Sequence, residues 1–133
     1  MLVATITAIL LIFGMGGGIA YDVLDIIDSA ADVVDDRVED EERREELLTI
    51  LKKMELETRT FTKDIRAHRQ GILKLDLDPN ATREQYIGAF RRLDARWVRA
   101  EEALLNGLFE FRGGFSKEEW AAVHAEIQEE LTD

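Results

Sequence analysis

The chain has 133 residues, a formal charge of -11, one proline and no cysteine. That length holds one small domain rather than two independent cores, and the missing cysteine excludes a disulfide framework, a thiolate metal site and a cysteine nucleophile. The acidic balance argues against nucleic acid or an anionic membrane surface as the main partner. Abundant Glu, Arg, Leu and Ala with few alternating stretches favour an all-helical protein.

Residues 1–21, MLVATITAILLIFGMGGGIAY, carry no charged side chain. At 1.5 Å per residue, about twenty of them match a hydrocarbon core of about 30 Å, so the segment is expected to be a transmembrane anchor. It lacks the basic start of a secretory signal and is longer than a typical signal core. Gly18 and Ala20 nevertheless satisfy the small-residue rule, which leaves cleavage after Ala20 as the alternative. Gly14 and Gly18, four apart, form the kind of small face on which membrane helices approach closely. The first basic residue is Arg37, behind six aspartates between Asp22 and Asp36. That flank predicts an outward-facing bulk: a single-pass inner-membrane protein with its C-terminal domain in the periplasm.

Residues 22–46 hold twelve acidic side chains against Arg37, Arg43 and Arg44, a net of -9. Leu24, Ile27, Ala31, Val34 and Val38 recur at helical spacing, so this segment is expected to be an acidic juxtamembrane helix with a solvated aspartate stripe.

The longest periodic pattern follows. Leu47, Leu51, Met54, Thr58, Phe61, Ile65, His68, Ile72 and Leu75 step by four and three without a break, one apolar seam over about four heptads. Asp78 and Pro79 end that helix, because the proline ring cannot continue the ladder and pushes the residue before it out of helical geometry. Thr82 and Gln85 then form a capping box. A second seam runs through Tyr86, Phe90, Leu93, Trp97, Ala100, Leu104, Leu108 and Phe111. The two seams predict an antiparallel hairpin whose core includes Leu47, Leu51, Phe61, Ile65, Phe90, Leu93, Trp97 and Leu104. Gly113 and Gly114 supply a left-handed C-terminal stop. Ser116 and Glu119 make another capping box, with Phe115 and Trp120 placed as a hydrophobic staple. Trp120, Val123, Ile127 and Leu131 line one face of a short closing helix.

A long helix, a break at DLDPNATREQY, an Arg- and Trp-rich helix through FRRLDARWVRAEEALL and then FSKEEWAAVHAEI together resemble the periplasmic LTxxQ-type helical family of Spy-like chaperones and membrane-anchored heavy-metal sensors, over residues 38–131. Phe115, Ser116 and Glu119 occupy the places of that family's Leu-Thr-x-x-Gln motif. The resemblance implies a stress-responsive protein, and a metal site built from histidine, glutamate and methionine. His68, His124 and Met54 are the corresponding candidates here. His68 sits in the first seam, where a ligand, a pH-sensitive group and a partnered core residue are all open readings. Met54 lies fourteen residues from it, about 21 Å along one helix.

Ser29 and Ser116 have no nearby His and Asp arrangement, and GMGGG lacks the strand and lysine of a phosphate loop, so no enzyme is expected. The predicted architecture is all-α: a transmembrane helix over 1–21, the acidic helix over 22–46, and a long helical hairpin with a capping helix over 47–133. The predicted role is a membrane-anchored regulatory or stress- and metal-sensing protein acting by protein–protein interaction. The alternative is an accessory subunit of a membrane complex. Lipid and either a homodimer mate or another protein are its expected partners, without nucleic acid; a divalent metal is the one candidate cofactor.

Overall fold

The computed structural model describes residues 18–132, which form four helices: α1 (Gly18–Arg37), α2 (Glu41–Leu77), α3 (Arg83–Gly113) and α4 (Lys117–Thr132). Local chemistry sets most of their ends. Asp40 adopts an extended conformation and its carboxylate accepts the Arg43 N–H at 3.3 Å, while Glu41 and Glu42 face the positive end of the α2 dipole. Asp78 closes α2, and its carboxylate accepts the Asn80 N–H at 2.9 Å across the proline turn. Thr82 and Gln85 satisfy each other's backbone amides at 2.9 and 3.3 Å, opening α3. Ser116 and Glu119 do the same for α4 at 3.0 and 3.1 Å.

Several expectations are corrected here. Among the described residues no helix is long and apolar enough to cross a membrane. The expected span over 1–21, with Gly14, falls almost wholly outside them, and Gly18 simply opens α1. That overturns the transmembrane architecture and the single-pass inner-membrane placement. The aspartate comb belongs to a helix that buries Ile27, Ala30, Val33 and Val34 against protein. Its acids lie outside because its apolar face points inward. The segment 22–46 is also not one helix: it breaks at 38–40, where Asp40 caps the next.

Short connections make sequence neighbours antiparallel. α2 packs along α3 and along α1, and α4 packs on α1. One cluster joins all four: Val33 and Val34 from α1 with Val38 just past its end, Leu47 and Leu51 from α2, Phe111 from α3, and Val123 and Ile127 from α4. Each such side chain contributes about 1.5–3 kcal/mol through its removal from water. A second, smaller cluster of Phe61, Ile65, Ala100 and Leu104 lies farther along the hairpin, and Val23 of α1 packs against it. The described residues therefore form a multi-helix base, from which the rest of the α2–α3 hairpin continues as an arm.

At the base, Arg43 ties the α3–α4 corner to α2. Its guanidinium donates to the Gly114 carbonyl at 2.7 and 3.0 Å and to Glu119, and lies 5.2 Å from the Phe115 ring centroid. Phe115 and Trp120 pack around Phe111, with ring centroids 5.2 and 6.0 Å from it. Gly114 is not left-handed, contrary to expectation: its φ is -76° and ψ is -2°. Its requirement is space. A Cβ there would sit 2.6 Å from Leu47 Cδ2, and Leu47 is locked in the centre of the main cluster. At Gly107 a Cβ would meet Met54 Cγ at 2.5 Å, but methionine is pliable. At Gly71 it would meet nothing within 4 Å.

These contacts order three substitutions. Gly114→Ala should cost about 1–3 kcal/mol by overpacking, Gly107→Ala less, and Gly71→Ala should stabilise by about 0.4–1 kcal/mol because alanine narrows the unfolded ensemble. Urea unfolding of the three variants checks the ranking.

Carboxylates on α4 respond to pH in opposite senses. The Ser116 backbone N–H and Arg43 hold Glu119 below its ordinary value, and Arg37 does so for Glu126. Glu130 is raised by its hydrogen bond with Asp32 of α1. A raised acid contributes stability below its ordinary range and loses it as pH rises through the folded value. Glu130→Gln should therefore raise the melting temperature at pH 7, and that gain should vanish at about pH 4, where the wild-type group is protonated. Circular dichroism melts at the two pH values test this.

Candidate functional site

The root of the arm is a buried charge. Arg96 of α3 is only 5% exposed. Its Nε donates to Asp64 at 2.8 Å and its Nη1 to Glu57 at 3.1 Å, both on α2, and the guanidinium lies 5.4 Å from the Phe61 ring centroid. Burial opposes the charge, but the hydrogen bonds to the two carboxylates outweigh it, and the Arg96 pKa is raised above the ordinary arginine value. Glu57 and Asp64 are seven apart, two heptad-related positions of α2 that one planar guanidinium bridges. Below them Thr58 is fully buried, its hydroxyl donating to the Met54 carbonyl at 2.8 Å. The Trp97 ring meets Phe61 edge-on at 4.9 Å on the neighbouring face.

Arg96 also explains a misplaced seam. Phe90 was expected in the core but is 49% exposed. The buried positions of α3 are Ala89, Arg96, Ala100, Leu104 and Phe111, with Leu93 and Trp97 half-buried. Because Arg96 turns inward to its carboxylates, the buried face in the arm shifts by one residue towards Ala89, and Phe90 faces out. On α2, Leu47, Leu51, Phe61 and Ile65 are buried, and Leu104 opposes them from α3. The Glu57–Asp64 spacing opposite Arg96 was the available signal for this ion pair.

Farther out, the arm has two different sides. One is a cleft of about 400 Å³ between α2 and α3, lined by His68, Gly71, Leu75, Glu84, Gly88 and Arg92 among others. The glycines leave this part of the helix pair loosely filled, since added Cβ atoms would meet nothing at Gly71 and only Arg92 Nη1, at 3.4 Å, at Gly88. The other side carries Phe90. Ile72 and Phe90 each lie one heptad beyond a residue of the second cluster or packed on it, Ile65 and Trp97 respectively, and so continue the strip that Val23 covers nearer the base. Leu73 and Leu77 flank it and are exposed. At the tip the Tyr86 hydroxyl donates to Asp76 at 2.8 Å, which raises the tyrosine pKa.

The candidate metal ligands are not brought together. His68 lines the arm cleft, Met54 packs beneath Gly107, and His124 is exposed on α4 beside Trp120, with ring centroids 6.0 Å apart. Among the described residues there is no group of three or more His, Cys, Asp or Glu side chains arranged to hold a metal ion. What the arm offers instead is apolar surface framed by charge. Residues 62–99 carry nine basic and five acidic side chains, a net of +4, whereas the other residues sum to -15. No family model, curated protein or solved structure matches the chain; the resemblance to the LTxxQ-type family rests on its helical motifs alone.

Replacing Arg96 separates its charge from its packing. Arg96→Met should destabilise by about 1–3 kcal/mol, because Glu57 and Asp64 lose their shared donor while remaining partly hydrated. Arg96→Lys should lie between wild type and Met, since an ammonium lacks the fork that reaches both carboxylates. Urea unfolding followed by tryptophan fluorescence reads both; a methionine variant as stable as wild type would remove the ion pair from the account of the hairpin.

Proposed function

We propose that the chain is a helical regulatory protein that acts by protein–protein interaction, with the α2–α3 arm as its contact surface. The carrying observation is that Leu73, Leu77, Phe90 and Val98 stand exposed in a segment of net positive charge, on an otherwise acidic molecule. Scattered single apolar residues on a surface need no explanation, but several on a two-helix segment, beside a strip that a third helix covers elsewhere, point to a partner. No catalytic step is part of this reading. A stress-responsive setting is what the LTxxQ-type resemblance implies for such a module.

The proposal is tested by photo-crosslinking. Benzoylphenylalanine at position 73 or 90 of the full chain, expressed in cells, should give discrete protein adducts, while the same probe at exposed Glu129 on the base gives none. Adducts that are equally abundant at all three positions, or absent from the arm, would overturn the assignment of the arm as the contact surface.

A further inference from the structure

The base itself displays the kind of helix that this hairpin accepts. α1 presents small and β-branched side chains, Ile27, Ala30, Val33 and Val34, inward, and an outer face of Asp25, Asp28, Asp32, Asp35 and Asp36 to water. Farther along α2 and α3 the same strip carries Ile72, half-buried, and Phe90, exposed, each one heptad on from Ile65 and Trp97. Arg66 and Arg69 on α2 and Arg83 and Arg91 on α3 are exposed in this segment and no ion pair engages them among the described residues; they outnumber Asp76 and Asp94, the acids at helical spacing from Ile72 and Phe90. The α2 part of the arm, residues 62–77, is sixteen residues, about 24 Å at the standard rise. That matches four to five turns of helix.

From this we infer that the strip binds an acidic amphipathic helix of a partner protein, laid along α2 and α3 of the arm, its apolar side on Ile72, Leu73 and Phe90 and its carboxylates beside the arginines of this segment. This deepens the reading of the arm as a protein-binding surface and rests on it. A second copy of this chain fits less well. Among the described residues outside the arm the exposed large apolar side chains, Ile26, Leu56, Phe109 and Leu131, are spread over four helices rather than gathered on one face, and pairing arm against arm would oppose two surfaces of like charge. Apolar contact supplies affinity at the centre of such a groove, and the charges supply orientation and rate.

A peptide copying residues 20–38 serves as the probe, since it is acidic and amphipathic by its own sequence. Fluorescence anisotropy with the full-length protein should show saturable binding that weakens as salt is raised. Phe90→Glu should weaken it at least about tenfold, and Arg66→Glu with Arg83→Glu by a similar factor. Leu56→Glu, an equally apolar exposed site on the base, should leave it unchanged, and circular dichroism of each variant verifies that the fold is kept. A peptide whose aspartates are replaced by lysine, with the apolar stripe retained, should not bind. Absence of saturable binding, equal binding of the lysine peptide, or indifference to Phe90→Glu would overturn the proposal, as would a dimer in sedimentation that Phe90→Glu dissociates. Crosslinks at positions 73 and 90 that persist while the peptide fails would sink the acidic helix and leave the arm as a protein-binding surface.

Discussion

The hairpin depends on a single guanidinium. Arg96 enters the space between α2 and α3 carrying a charge that burial alone would make prohibitive, and it is tolerated because Asp64 and Glu57 each accept a hydrogen bond from it while the Phe61 ring lies alongside. The bridge fixes more than one contact. It sets the rotation of α3 about its own axis, so that Ala89, Ala100 and Leu104 face α2, and it fixes the axial register between two helices whose leucine and alanine surfaces would otherwise permit sliding. A seam of interchangeable apolar residues stabilises; a forked donor over two carboxylates seven residues apart specifies.

That specification divides the labour along the molecule. In the base, apolar area from four helices meets, and Arg37 with Glu126 and Arg43 with Glu119 hold α4 at the periphery. Such exposed pairs add little stability each, so α4 is held chiefly by Val123, Ile127 and the Phe111, Phe115 and Trp120 rings. In the arm two helices share only one interface, and Phe90 and Leu77 remain in water, the latter 76% exposed. Two amphipathic helices cannot bury both flanks of their seam on each other.

Much of this was legible in the residues. The four-three spacing from Leu47 to Ile65 located one buried face, and the Thr82–Gln85 and Ser116–Glu119 boxes located two helix starts, because periodicity and capping are local and additive. Phe90 was misplaced because a hydrophobic pattern ranks arginine as surface; only the carboxylates across the interface reverse that ranking for Arg96. α1 was misread through its neighbour. Its apolar spacing and its solvated aspartate stripe were legible, but the uncharged run immediately before it made it look juxtamembrane, when its valines sit at the centre of the base. Gly114 was recognised as a stop for the wrong reason, since crowding by Leu47 is a tertiary fact that turn chemistry cannot reveal.

The proline turn has a mechanical corollary. Asp78 closes α2, Thr82 opens α3 within five residues, and Tyr86 is tethered to Asp76 just behind them, while Arg96 clamps the opposite end of the same segment. With both ends pinned, neither helix can creep past the other. A pull on the turn at Pro79 is thereby resisted at two points, the Tyr86–Asp76 tether and the Arg96 bridge, with the loosely filled cleft between them.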